Sequence, residues 1–111
     1  MKFKLQKLDR RMTGHRYFKY RVEFPISAIR DIQVPDMTVY GVKILIFSEL
    51  MQGLTNAIGF GSYVDYTHFA KDPKWAFRIA DHNHVDTIYL TEEAVVEYEQ
   101  ILTFLTLKYS A

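Results

Sequence analysis

The sequence contains no cysteine, and this absence excludes several classes of protein at once. No disulfide framework, thiolate nucleophile or thiolate metal site can form, so the chain is not a cysteine-stapled secreted scaffold. Long hydrophobic runs are also missing, because the longest unbroken one covers only residues 44–47 and cannot cross a bilayer. The N-terminal segment MKFKLQKLDRR alternates charged and apolar residues and does not have the pattern of a signal peptide. We therefore expect a cytoplasmic protein that does not contact membranes.

Internal repeats, low-complexity tracts and linkers are absent as well. Hydrophobic residues make up 49% of the 111 residues and aromatic residues 15%, which is enough to build a core and argues against disorder. A chain of this length fits one domain. The sequence predicts a single domain covering residues 1–111.

Two strands are predicted near the N-terminus from alternating apolar and polar side chains. Phe3 and Leu5 alternate with polar neighbours in the first strand. In residues 17–24 one face carries Phe18, Tyr20, Val22 and Phe24, and the other carries Tyr17, Lys19, Arg21 and Glu23. The polar segment DRRMTGHR between them contains Gly14 and reads as a hairpin loop.

The middle of the chain has two interpretations. Residues 38–47, TVYGVKILIF, are rich in β-branched and aromatic side chains, which favours a central strand followed by a helix that begins near Ser48 and ends at Gly59. However, apolar residues also recur three and four positions apart from Ile44 to Ile58, so one long helix beginning near Asp36 is the alternative. We expect the strand, and leave the helix open.

Two further strands and a helix are predicted in the C-terminal half. The strands cover residues 74–80 and 87–90 and are joined by the turn DHNHVD. Thr91 then caps a helix, with glutamates near its start and Lys108 near its end to complement the helix dipole. The inward side chains are expected to be Val95, Tyr98, Leu102, Leu105 and Tyr109. The predicted fold class is α+β: a small, mainly antiparallel sheet of two hairpins packed against two helices.

Charge is distributed unevenly along the chain. Residues 1–24 hold eight lysines or arginines against two carboxylates, a net charge of +6, whereas residues 25–111 hold six against eleven, a net charge of −5. A basic segment attracts nucleic acid or an acidic protein surface. Its cations neutralise phosphates, and an exposed tyrosine ring can stack on an unpaired base. The candidate binding residues are Lys4, Arg10, Arg11, Arg16, Tyr17, Lys19 and Arg21.

The same charges have a simpler interpretation. Charged side chains on a strand discourage unwanted pairing at a sheet edge, with or without a binding partner. The glutamates of the C-terminal helix are similarly explained as a solvated face, or as the acidic half of a contact with the basic strands of a second copy. These glutamates are Glu92, Glu93, Glu97 and Glu99. The alternative partners are therefore nucleic acid, an acidic protein patch and a homo-oligomer.

Metal binding and catalysis have weaker support. The turn between residues 81 and 86 contains His82 and His84 between Asp81 and Asp86, and these are the ligand types open to a metal in a chain without cysteine. No residue pattern supplies a third ligand, and no nucleophile is spaced to work with either histidine. We expect an ordinary turn, no metal, no cofactor and no enzymatic activity.

The functional hypothesis follows from the charge distribution, because no motif identifies a family. We expect a small non-enzymatic module that binds a polyanion (RNA or DNA) or an acidic protein patch through a basic N-terminal hairpin. The alternative is a self-associating structural or accessory protein. The compact, aromatic-rich, cysteine-free composition is typical of small virus-encoded accessory proteins. If the protein is viral, the expected compartment is the cytoplasm of the host cell.

Overall fold

The computed structural model describes residues 3–11, 17–23, 27, 29–30, 32, 34–64, 74–79 and 85–109, and only the backbone of residues 62–64 and 85–86. The elements in chain order are β1 (Leu5–Lys7), β2 (Tyr20–Glu23), α1 (Val39–Ile58), β3 (Ser62–Val64), β4 (Trp75–Ile79), β5 (Val85–Leu90) and α2 (Glu92–Tyr109). The predicted α+β class is confirmed: in this part of the chain two antiparallel strand pairs, β1 with β2 and β4 with β5, pack against two helices.

The strands form one five-stranded sheet in the order β1-β2-β5-β4-β3. All neighbours are antiparallel except β3 and β4, which are parallel. The last strand, β5, lies in the middle of the sheet and pairs with β2 on one side and β4 on the other. Tyr20 of β2 and Trp75 of β4 both lie opposite Leu90. The N-terminal hairpin therefore forms one edge of the sheet.

The preferred interpretation of residues 38–47 as a strand was wrong, because Val39 begins a helix that continues to Ile58. Thr38 caps this helix by accepting a hydrogen bond from the amide of Gly41 at 3.1 Å, and Ser48 lies inside the helix instead of at its start. The predicted end at Gly59 is confirmed, since this residue has φ of 96° and its amide bonds to Thr55. The side chains that the helix buries are Val42, Ile46, Phe47, Leu50 and Leu54.

The prediction for the C-terminal helix is confirmed. The Thr91 hydroxyl accepts a hydrogen bond from the amide of Ala94 at 3.4 Å and donates one to the carbonyl of Lys74 at 2.6 Å. One threonine thus caps α2 and attaches the helix start to the beginning of β4. The predicted inward side chains are all buried or half-buried.

Among the described residues the core has two parts, one on each face of the sheet. The larger cluster lies between the helices and the inner face, and it contains Val22, Trp75, Ile88 and Leu90 of the sheet together with buried side chains of both helices. A smaller cluster contains Leu8, Phe18, Ala76 and Tyr89. Because successive residues of a strand point to opposite faces, Ala76 and Tyr89 lie on the outer face.

The prediction that Phe18 shares a face with Tyr20 and Val22 was therefore wrong. Phe18 is buried against Tyr89 of the outer face, with ring centroids 5.7 Å apart. The alternation breaks because the chain bends at Lys19, one residue before β2 begins.

One buried side chain of α2 lacks a polar partner. Tyr98 is only 2% exposed, and its hydroxyl has no hydrogen-bond partner among the residues described. Burial raises the pKa of this phenol well above its usual value, and the Glu99 carboxylate adds to the shift. The hydroxyl is therefore neutral and costs stability by being desolvated without a compensating bond.

We expect Tyr98→Phe to raise the free energy of unfolding by about 1 kcal/mol, because it removes that desolvated hydroxyl. Chemical denaturation would measure the change. Tyr109→Phe is the matched control, since the Tyr109 hydroxyl donates to Glu49 at 2.6 Å and its loss should lower stability. A lower stability for Tyr98→Phe would show that its hydroxyl does have a partner.

Candidate binding surface

The basic residues predicted to bind a partner lie on and beside the N-terminal hairpin, defined here as residues 3–11 and 17–23. The hairpin is held to the rest of the sheet by the pairing of β2 with β5. In addition, the amide of Lys19 donates to the carbonyl of Leu90, and that of Leu8 to the carbonyl of Lys19. β1 is left at the edge of the sheet, so side chains at its ends are accessible to a partner.

The turn after β1 presents two arginines. Arg10 and Arg11 are both exposed, and the Arg11 side chain is 90% accessible. Asp9 shapes this turn by accepting a hydrogen bond from the Arg11 amide at 2.8 Å, and its second oxygen lies 3.4 Å from the Arg11 guanidinium. A single carboxylate therefore orders the turn, and both guanidinium groups remain exposed to solvent.

Lys19 is not free for a partner in the same way. Its ammonium lies 2.7 Å from Glu92, the first residue of α2. The hydrogen bond to Glu92 and the attraction of its charge raise the pKa of Lys19, and the same contact lowers the pKa of Glu92, with Lys7 contributing. Lys19 thus links the hairpin to the start of α2, and its charge is matched within the protein.

Arg21 is held on the outer face of the sheet. Its Nε donates to Gln6 on the neighbouring strand at 3.0 Å, and its guanidinium lies 3.5 Å from Glu23. Only 25% of the side chain is exposed. This arginine stabilises the pairing of β1 with β2, and its side chain is less accessible to a partner than those of the arginines in the turn.

The remaining candidates differ in accessibility. Lys4 and Lys7 are exposed at the two ends of β1, and neither has an ion pair within the described ranges. Tyr17 is 48% exposed, so part of its ring is accessible beside the hairpin. Arg16 lies outside the described residues. The accessible positive charge of the hairpin therefore comes from Lys4, Lys7, Arg10 and Arg11.

The turn considered for metal binding falls outside what the structure describes. This applies to Asp81, His82 and His84, and for Asp86 only the backbone is given. Within the described residues there is no group of three or more acidic or histidine side chains that could hold a metal ion.

No protein-family model, curated protein or solved structure matches this chain. Its function must be inferred from its own surface. In the part of the chain that is described, neither helix combines the length and the apolar character needed to cross a membrane. The accessible surface of the hairpin is therefore the starting point for a functional proposal.

Two features of the surface were not predicted from the sequence. The neutralisation of Lys19 by Glu92 joins residues far apart in the chain, and no local pattern indicates it. The second feature is the exposure of Val96, Phe104 and Leu107 on α2, at 55%, 64% and 72%. The wide apolar pattern of this helix was a sequence signal for this exposure, since one sheet and one neighbouring helix cannot cover all its sides.

Proposed function

We propose that the protein is a small non-enzymatic module that binds single-stranded nucleic acid through the exposed cations of the N-terminal hairpin. The observation that carries the proposal is that one hairpin presents the exposed Arg11 together with three basic residues that have no ion-pair partner among the residues described. Lys74 and Lys108, outside the hairpin, each contact a glutamate, as does Lys19 at its base. Lys4, Lys7 and Arg10 have no such partner among the residues described.

Phosphate groups are the chemical complement of this surface. Arginine presents a planar fork of donors that matches two phosphate oxygens, and the ordered turn at Asp9 holds two arginines next to each other. Tyr17 is 48% exposed beside the hairpin, and an exposed aromatic side chain is the kind of group on which an unpaired base stacks. A duplex offers no such free base, which favours a single strand as the partner. The absence of cysteine is compatible with a reducing compartment, and we propose the cytoplasm as the site of this binding.

We expect Arg10→Glu with Arg11→Glu to weaken binding to a fluorescent single-stranded oligonucleotide by at least about tenfold at low salt, because two phosphate contacts are lost and two repulsive charges are added. Fluorescence anisotropy at several salt concentrations would measure affinity and its salt dependence. The slope of log affinity against log salt should fall by about 1.4 for the two lost contacts.

The matched control is Arg30→Glu with Lys43→Glu, which makes the same change in net charge away from the hairpin. Neither residue has an ion pair within the described part of the chain, so the control breaks no such contact. We expect its affinity to fall by less than about threefold. Equal losses in the two variants would contradict the proposal. Binding to polyglutamate but not to nucleic acid would indicate an acidic protein partner instead.

A further inference from the structure

α2 carries an exposed stripe on the side opposite the core. The stripe runs along the helix through Val96, Gln100, Thr103 and Leu107, all of which are exposed. Phe104 lies beside it, toward α1, and is 64% exposed. Three large apolar side chains that are exposed together on one helix face indicate a contact surface.

The spacing of this stripe is symmetric. Its members are separated by four, three and four residues, so the pattern is the same when it is read in either direction. If a second copy of α2 packs antiparallel on the first, Val96 of each copy lies level with Leu107 of the other. Gln100 lies level with Thr103 in the same arrangement. The stripe is therefore self-complementary, as a contact related by two-fold symmetry requires.

The charges of α2 select the same orientation. All four glutamates lie in its first half, and Lys108 lies in its last turn. Parallel packing would place the carboxylates of the two copies side by side, whereas antiparallel packing moves them to opposite ends. It also brings Lys108 of one copy level with the segment between Glu93 and Glu97 of the other, on the same flank. The Lys108 side chain bonds to Glu49 and is still 46% exposed.

The surface beside the stripe adds to this contact. A groove of about 420 Å³ runs between the two helices next to Phe104, with Gly53 of α1 at its base. The helices approach closely here, because a Cβ at Gly53 would lie 2.9 Å from the Ile101 side chain. In the antiparallel arrangement Phe104 of one copy comes level with Glu99 of the other, one residue from Gln100, which is also in the groove lining.

We propose that the exposed stripe of α2 is a homodimer interface in which two copies of this helix pack antiparallel. α2 is about 27 Å long, so the helix contact alone buries less than the roughly 800 Å² per partner of a typical stable interface. The dimer is accordingly weak and forms at micromolar concentrations or above. This interface is separate from the N-terminal hairpin, which remains free in both copies to bind its own partner.

The first test is the molecular mass by sedimentation equilibrium between about 5 and about 500 μM, a range chosen for a weak interface. The mass should rise from 13.1 kDa toward twice that value and no further. Phe104→Asp should weaken dimerisation at least about tenfold. Phe60→Asp is the matched control, because Phe60 is 92% exposed and lies outside α2, and it should behave as the wild type. Arg10→Glu with Arg11→Glu should also dimerise normally.

A second test determines the relative orientation of the two α2 helices directly and does not depend on the affinity of the dimer. Because the chain has no cysteine, Val96→Cys and Leu107→Cys each introduce a single thiol. Oxidation of a mixture of the two variants should give a cross-linked pair. Val96→Cys alone should not, because its two thiols would lie about 16 Å apart along the helix axis. A constant mass of 13.1 kDa, or cross-linking of Val96→Cys alone in preference to the mixture, would overturn the proposal.

Discussion

Gly61→Val should lower the free energy of unfolding by about 3 kcal/mol, since the new side chain has no space beside Trp75. A Cβ at Gly61 would lie 2.6 Å from the Cη2 atom and 2.7 Å from the Cζ2 atom of this ring. Trp75 is 1% exposed and donates from its ring nitrogen to the carbonyl of Gly59 at 2.9 Å, so it cannot move aside without losing that bond. Small domains have total stabilities of about 5–15 kcal/mol, so this loss is a large fraction.

Urea denaturation followed by circular dichroism would measure the effect, because one of the variants below replaces Trp75, the only tryptophan in the chain. Gly41→Val is the matched control. A Cβ at Gly41 makes only ordinary contacts, the nearest being the Thr38 hydroxyl at 3.4 Å, so we expect a change within about 0.5 kcal/mol. If the Trp75 contact is the cause, Gly61→Val should cost less when combined with Trp75→Phe, whose ring is smaller. Equal costs in the two backgrounds would contradict this explanation.

Ile44→Pro is expected to destabilise the protein by about 3 kcal/mol or more, since it places proline inside α1. Proline removes the amide that continues the helical hydrogen bonding and clashes with the carbonyl four residues earlier. The site lies within the segment whose sequence also favours a strand, and circular dichroism should show a loss of helix together with the lower stability. An unchanged stability would be incompatible with a helix at this position.

Ile44→Ala separates the backbone effect from the side-chain effect. The Ile44 side chain is 49% exposed, so its truncation removes little packing, and alanine has the better helix propensity. We expect a change within about 0.5 kcal/mol. In a central strand covered on both sides, the same truncation would instead cost about 2 kcal/mol or more. The pair of variants therefore distinguishes the two interpretations of this segment.

Residues 39–47 show why part of the fold could not be predicted. Local propensity favoured a strand, but the apolar residues at three- and four-residue spacing also form a continuous helical face. The packing of the helix decides the outcome: it buries Val42, Ile46 and Phe47, while Ile44, the first residue of the predicted face, stays exposed. No local pattern contains this information. Where only one period fits, as in α2 after Thr91, the sequence was sufficient.

The candidate site was predictable to a similar degree. The charge count placed the basic surface at the N-terminal hairpin, and the structure shows Arg10 and Arg11 exposed in its turn. The count could not show that Lys19 is matched by Glu92 or that Arg21 is partly buried against Gln6. Both contacts depend on tertiary structure or strand register. Composition thus identified a charged region. Only the three-dimensional arrangement distinguishes the cations that are accessible to a partner from those that already contact other side chains of the protein.

The central position of β5 has a consequence for how the protein is made. The ribosome synthesises the N-terminal hairpin well before residues 85–90, yet β2 pairs with β5, and so does β4. Until residue 90 has been added, the two halves of the sheet have no strand to join them. Folding that depends on contacts so distant in sequence is slow. The nascent chain therefore exposes its basic hairpin before a folded core exists to anchor it.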